Sequence, residues 1–179
     1  MKKILSLLLI ACVLLSMTAC ADDLGAAEEA LNAVKKMDLD TFVSCMTSNA
    51  DMSRLLANYD MLDEEEKQTL IRLYGEIRYT LEADKDLTLA NGSVVRTFNV
   101  KIPDIARVRT LANAQIVFGK TANEAVAEII DRENVDMRSV TWQILMQKEN
   151  GEWRVAAIGN DAWIKDLGLS ELIAFFAKY

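Results

Sequence analysis

The chain has no histidine, one proline and only three cysteines in 179 residues. Without histidine there is no Ser-His-Asp or Cys-His nucleophile system and no His-ligated metal site. Three cysteines are too few for a Cys-only zinc site or an iron–sulfur cage. Basic residues are in deficit: 20 Lys+Arg stand against 27 Asp+Glu, a net charge of −7 and a pI near 4.7. Nucleic-acid partners call for a basic face, so none is expected. No cofactor motif is present either. Gly119-Lys120-Thr121 suggests a phosphate loop, but Ala114 stands where that motif needs its first glycine. The three residues read instead as a helix end followed by a cap. What remains is a globular composition, 51% hydrophobic and 26% charged, with no repeat, low-complexity tract or interior linker.

The first residues read as an address. Met1-Lys2-Lys3 is basic, and residues 4–15 are apolar apart from Ser6. That run is shorter than the ~20 residues a membrane span requires, and it matches the charged and apolar regions of an export signal. Met17-Thr18-Ala19-Cys20 then resembles the lipobox of bacterial lipoproteins. The resemblance implies a signal peptide over 1–19, cleavage before Cys20 and a diacylglyceryl group on its thiol. The protein would then sit on the extracytoplasmic side of a bacterial cell membrane. Ordinary cleavage, leaving Cys20 as a free thiol, is the alternative. Cys12 leaves with the signal, so Cys45 has no disulfide partner and reads as a buried thiol. Ala21-Asp22-Asp23 runs straight into a helical pattern, which predicts a domain over 20–179 held within a few residues of the lipid.

Apolar positions three and four apart predict a helix over 23–36, capped by Asp22 or Asp23. Asp38 caps a second helix with Phe42, Val43 and Met46 inward. A short helix follows over 51–58. Asp63 and Glu66 form a capping box for a helix with Leu70, Leu73, Tyr74 and Ile77 on one face. The acidic run from Asp63 to Glu66 is therefore a helix start rather than a calcium site. Asn91-Gly92 signals a type I′ hairpin. Folding about it places Leu89 opposite Val94, Leu87 opposite Arg96, Lys85 opposite Phe98, Ala83 opposite Val100 and Leu81 opposite Ile102. All ten face inward, while Glu82, Asp84, Asp86, Thr88, Thr97, Asn99 and Lys101 face out, with Glu82 against Lys101. Two helices follow Pro103, one ended by Gly119 and one opened by the Thr121–Glu124 capping box. Asn150-Gly151 signals a second type I′ hairpin, pairing Met146 with Val155, Ile144 with Ala157 and Trp142 with Gly159. Lys148 and Trp153 lie at its end. Asp161 and Ser170 read as caps of two short terminal helices, the last over 171–179.

Helices, two long hairpins and closing helices make an α+β plan. N-terminal helices would pack on an antiparallel sheet of at least four strands, with two inserted helices between the hairpins. Residues 26–42, a helix, an acidic break and a second helix, resemble the nuclear transport factor 2-like fold. So does the strand–turn–strand segment 140–155. The match is to small exported lipoproteins that carry this cone-shaped domain. The resemblance implies a concave sheet covered by the early helices, and it leaves activity open because this fold hosts enzymes, binders and structural proteins.

Four residues stand out as candidate ligand contacts. Lys85 and Arg96 are the two cations on the apolar face of the first hairpin; they either hold an anion inside the cone or snorkel to water. Trp142 and Trp153 share the apolar face of the second hairpin, as core or as pocket lining. Tyr59, Tyr74 and Tyr79 are either polar handles in a cavity or ordinary packing. No Asp or Glu falls inward in the four strands, so no catalytic residue is assigned. The leading expectation is a non-catalytic, lipid-anchored binding or interaction domain. A small-molecule isomerase or hydrolase of the same cone fold, using a buried carboxylate or Tyr, is the alternative. The mixed outer face at Leu145, Ala156 and Ile158 is covered by the inserted helices or by a second copy of the chain, which makes a homodimer through the sheet a candidate.

Overall fold

A computed structural model describes residues 22–132 and 135–178. The export signal and Cys20 lie outside the described residues. The chain is α+β. Helices α1 (Asp23–Lys36), α2 (Leu39–Ser44), α3 (Ser53–Asp60) and α4 (Glu64–Gly75) come first. Strands β1 (Arg78–Leu81), β2 (Leu87–Thr88) and β3 (Val94–Pro103) follow, with a 3-10 turn at Ala83–Lys85 between the first two. Helices α5 (Ile105–Ile116) and α6 (Ala122–Asp131) separate them from β4 (Met137–Glu149) and β5 (Glu152–Val155). Helices α7 (Asp161–Leu167) and α8 (Leu169–Phe176) close the chain.

Local sequence explains the helix starts. Side chains of Asp22, Asp38, Asp63, Asp104 and Thr121 accept hydrogen bonds from backbone N–H groups of the first turns. Asp63 and Thr121 complete reciprocal capping boxes with Glu66 and Glu124. The terminal caps differ from expectation. Asp161 is the first residue of α7, behind Asn160, and α8 follows directly from Gly168, not Ser170. Gly168 has φ +63° with Ile105 side-chain atoms 3.1 Å from where a Cβ would stand, so the junction is set by packing as well as by turn chemistry. Among the described residues no helix is long and apolar enough to cross a membrane.

The sheet is five-stranded and antiparallel, in the order β1-β3-β4-β5 with β2 also on β3. The long β3–β4 pairing sets Phe98 opposite Trp142, Val94 opposite Met146 and Val100 opposite Val140. Helix α1 lies across β3, β4 and β5, and α4 packs on α1, β3 and α6. The inner face is thereby filled: Phe98, Val100, Ile102, Trp142, Ile144, Met146 and Val155 are each at most 1% exposed. Burying a side chain of this size stabilises by about 1.5–3 kcal/mol.

The second hairpin has the expected turn. Asn150 (φ 54°) and Gly151 (φ 89°) are both left-handed, and Met146 pairs with Val155, Gln147 with Arg154 and Lys148 with Trp153. Its pairing stops sooner than expected, because β5 ends at Val155. Beyond it the Leu145 carbonyl accepts the Ala156 N–H at 2.9 Å and the Asn160 Nδ2, and the Leu145 N–H donates to Asn160 Oδ1.

The first hairpin departs from its expected register. Only Gly92 is left-handed there (φ 82°), and Leu89 N–H donates to the Ser93 carbonyl while Gly92 N–H donates to that of Leu89. This is a three-residue loop with a bulge rather than a type I′ turn. Leu87 consequently pairs with Val95, one residue out of the expected register, which moves it to the outer face. The 3-10 turn at Ala83–Lys85 takes up three more residues, so Leu81 meets Phe98 and Lys101 meets Arg78. The break has a local cause. The Asp86 carboxylate accepts the Thr97 N–H at 2.8 Å, and Thr97 Oγ1 donates to the Lys85 carbonyl at 3.2 Å. Side-chain bonds thus take the place of the ladder. The inserted helices α5 and α6 pack against each other and against α4 and α8, leaving the outer face of the sheet uncovered by them.

Candidate functional site

The four residues singled out as ligand contacts do not converge. Lys85 is exposed on the 3-10 turn, not on the inner face, and its Nζ donates to Glu82 at 2.9 Å. Arg96 does face inward, but it is enclosed by acids. Its Nη2 lies 2.8 Å from both Asp23 carboxylate oxygens, its Nε lies 3.1 Å from Asp23 Oδ2, and its Nη1 lies 2.5 Å from Asp86 Oδ2. These bonds to Asp23, with that to Asp86, raise the guanidinium pKa further against the opposing effect of burial. Asp86, expected on the outer face, thus turns inward. Asp23, the first residue of α1, is buried beside it. Two inward acids therefore exist, and both are occupied by one arginine.

Trp142 lies in the core, its indole 5.4 Å from that of Trp163, which in turn meets Phe42 edge-on at 5.9 Å. Trp142 Nε1 donates to Asp166 Oδ2 at 3.2 Å, and Arg138 Nη2 reaches the Asp166 Oδ1 at 3.1 Å. Trp163 is equally buried, yet among the described residues its Nε1 has no hydrogen-bond partner. Trp153 sits where the two hairpin turns meet, under Lys148 Nζ at 5.1 Å, beside a hollow of about 480 Å³ edged by Asn91, Ser93 and Gln147. The tyrosines are packing residues. Tyr74 OH donates to the Leu167 carbonyl at 2.7 Å, Tyr79 meets Phe98 edge-on at 5.8 Å, and Tyr59 lies under Lys67. Burial pushes the Tyr74 hydroxyl pKa far up, since its ionised form would lose water, and the Glu171 charge adds to this.

A larger concavity lies on the helical side. Helices α3, α5 and α8 enclose a groove of about 720 Å³. Met52, Leu55, Ala174 and Phe175 supply its apolar surface; Asp51, Arg54, Arg109 and Glu171 supply charge of both signs. Helix α3 contributes no fully buried residue, so one wall of the groove is held by the half-buried Leu55, Leu56 and Tyr59. Arg109 organises the opposite wall. Its Nη1 reaches Glu171 Oε2 at 3.2 Å, its guanidinium lies 6.0 Å from the Phe175 ring centre, and its Nε is buried without a hydrogen-bond partner among the described residues. Asp51 accepts from Ser53 N–H and Oγ, and these bonds hold its carboxyl pKa below the ordinary value. Sequence reading missed this groove. Arg109 and Glu171 are 62 residues apart on helices whose periodicity marks only their core faces. The one available signal was a terminal helix apolar on most sides.

Comparison with protein-family models, with curated proteins and with solved structures gives no match for this chain.

Proposed function

We propose that this chain is a lipid-anchored, non-catalytic binding domain on the extracytoplasmic side of a bacterial membrane, with its ligand site in the groove between α3, α5 and α8. The lipobox-like Met17-Thr18-Ala19-Cys20 supports the anchor, and a diacylated cysteine holds a protein stably on a bilayer. The nuclear transport factor 2-like reading draws its support from early helices laid on an antiparallel sheet. That fold would lead one to look for a ligand beneath the helices, where this protein is filled with Phe98, Trp142 and Ile144. The observation that carries the proposal is the helical groove. It joins an apolar surface, charges of both signs and an arginine Nε without a hydrogen-bond partner among the described residues.

Two measurements test it. Mass spectrometry of the mature protein should find Cys20 as an acylated N-terminus; an unacylated one overturns the anchor. A thermal-shift screen of small amphiphilic acids and zwitterions should find stabilising compounds. Asn113→Trp, which fills the groove, should abolish their effect without lowering the unliganded Tm. Retained binding in that variant overturns the site.

A further inference from the structure

We propose that the β2 edge of the sheet is a membrane-contact surface, with Leu87 and Leu89 seated at the boundary between lipid headgroups and acyl chains. The inference rests on the anchor reading above. Cys20 and Asp22 are two residues apart, and two residues span at most about 7 Å. The N-terminus of α1 is therefore held at the bilayer surface, together with whatever is rigidly joined to it.

What is joined to it is β2. Asp23 is the first residue of α1, and its carboxylate is gripped by Arg96. The same guanidinium grips Asp86, the residue next to Leu87. Asp86 is fixed a second time by the Thr97 N–H. The start of α1 and the start of β2 are thus tied through one side chain and move together. Leu87 and Leu89 are 54% and 39% exposed. Leu87 is the outermost member of an apolar row, in register with Val95 on β3 and, through it, Leu145 on β4. An exposed apolar edge strand is a liability in water and an asset against lipid. The nearby basic groups are already paired, Lys85 with Glu82 and Arg96 with its two acids. Asp22 and Asp84 are exposed beside them. The contact is accordingly apolar rather than electrostatic, and zwitterionic lipid is the right probe.

The test uses the lipidated full chain, its acylation confirmed by mass spectrometry, in phosphatidylcholine vesicles with brominated acyl chains. An environment-sensitive label is placed at Ala90→Cys, with Cys45 protected by burial. Bromine quenching at this position should exceed, several-fold, that at Phe118→Cys. Phe118 is the most exposed large apolar side chain among the described residues, at 88%, and lies on the α5–α6 turn. Adding Leu87→Ser and Leu89→Ser should bring the Ala90 signal down to the Phe118 level. An acylated chain with an unquenched label at residue 90 overturns the inference while leaving the anchor intact; an unacylated chain overturns the anchor itself. A blue-shifted label without bromine quenching also overturns it, and points to a second copy of the chain on the same edge. Stronger quenching at Phe118 than at Ala90 overturns it as well.

Discussion

The Asn160 side chain stands in for a strand beside Leu145. Leu145 N–H donates to Asn160 Oδ1 at 2.9 Å, and Asn160 Nδ2 donates to the Leu145 carbonyl at 3.1 Å and to that of Ala156 at 2.6 Å. Asn160→Ala leaves the Leu145 N–H and the Ala156 carbonyl unpaired in a buried setting. The expected loss is about 2–4 kcal/mol, since a buried group without a partner costs about 1–3 kcal/mol. Urea unfolding should show a lower midpoint with an unchanged slope.

Arg96 neutralises two acids that are largely removed from water, with Asp23 and Asp86 side chains only 12% and 11% exposed. Arg96→Met should cost about 3–5 kcal/mol, because the partners keep charges that nothing compensates. The triple variant Arg96→Met, Asp23→Asn, Asp86→Asn should recover part of that loss. A triple variant no more stable than Arg96→Met alone would show that the acids are not the reason for the cost.

The two buried indoles should respond differently to loss of their N–H. Trp142→Phe removes a bond to Asp166 as well as ring volume; Trp163→Phe removes an N–H that has no partner among the described residues. The first should destabilise by about 1 kcal/mol more than the second, the net contribution of one hydrogen bond. Equal losses in urea unfolding would refute the assignment.

Cys45 is buried, and desolvation, with the Glu29 charge second, pushes its thiol pKa up to about 11 from an ordinary 9.0. The folded state therefore holds the proton more tightly than the unfolded chain. Linkage then makes stability fall as pH rises from about 9 to about 11, and leaves it unaffected by this group below 9. Tyr74, raised in the same direction, adds to the alkaline loss at higher pH. Cys45→Ala should flatten the slope between pH 9 and 11 in Tm measurements. In the native protein at pH 8, thiol reagents should modify Cys45 only at the rate of unfolding.

Features decided within a few residues were legible in the sequence. The caps at Asp38, Asp63 and Thr121, and the second Asn-Gly turn, depend on neighbours in the chain. The first Asn-Gly pair misled because the same dipeptide serves two turn types, and the three-residue loop found there slips the register by one and turns Leu87 outward. Asp86, drawn to Arg96 and Thr97, broke the strand that alternation predicted. The groove was illegible for a related reason. Its walls come from three helices, each of which shows in sequence only which side it buries, not what its flanks meet.

The interrupted margin beside β3 has a consequence for how the protein behaves in company. Four paired residues, a tight turn and two more leave no long run of open backbone for a neighbouring chain to extend. The opposite margin is as guarded: β5 has four residues, and Val155 already exchanges bonds with the Cys45 carbonyl and the Thr47 N–H. Both described margins of the sheet are therefore poor templates for strand addition by a neighbouring chain.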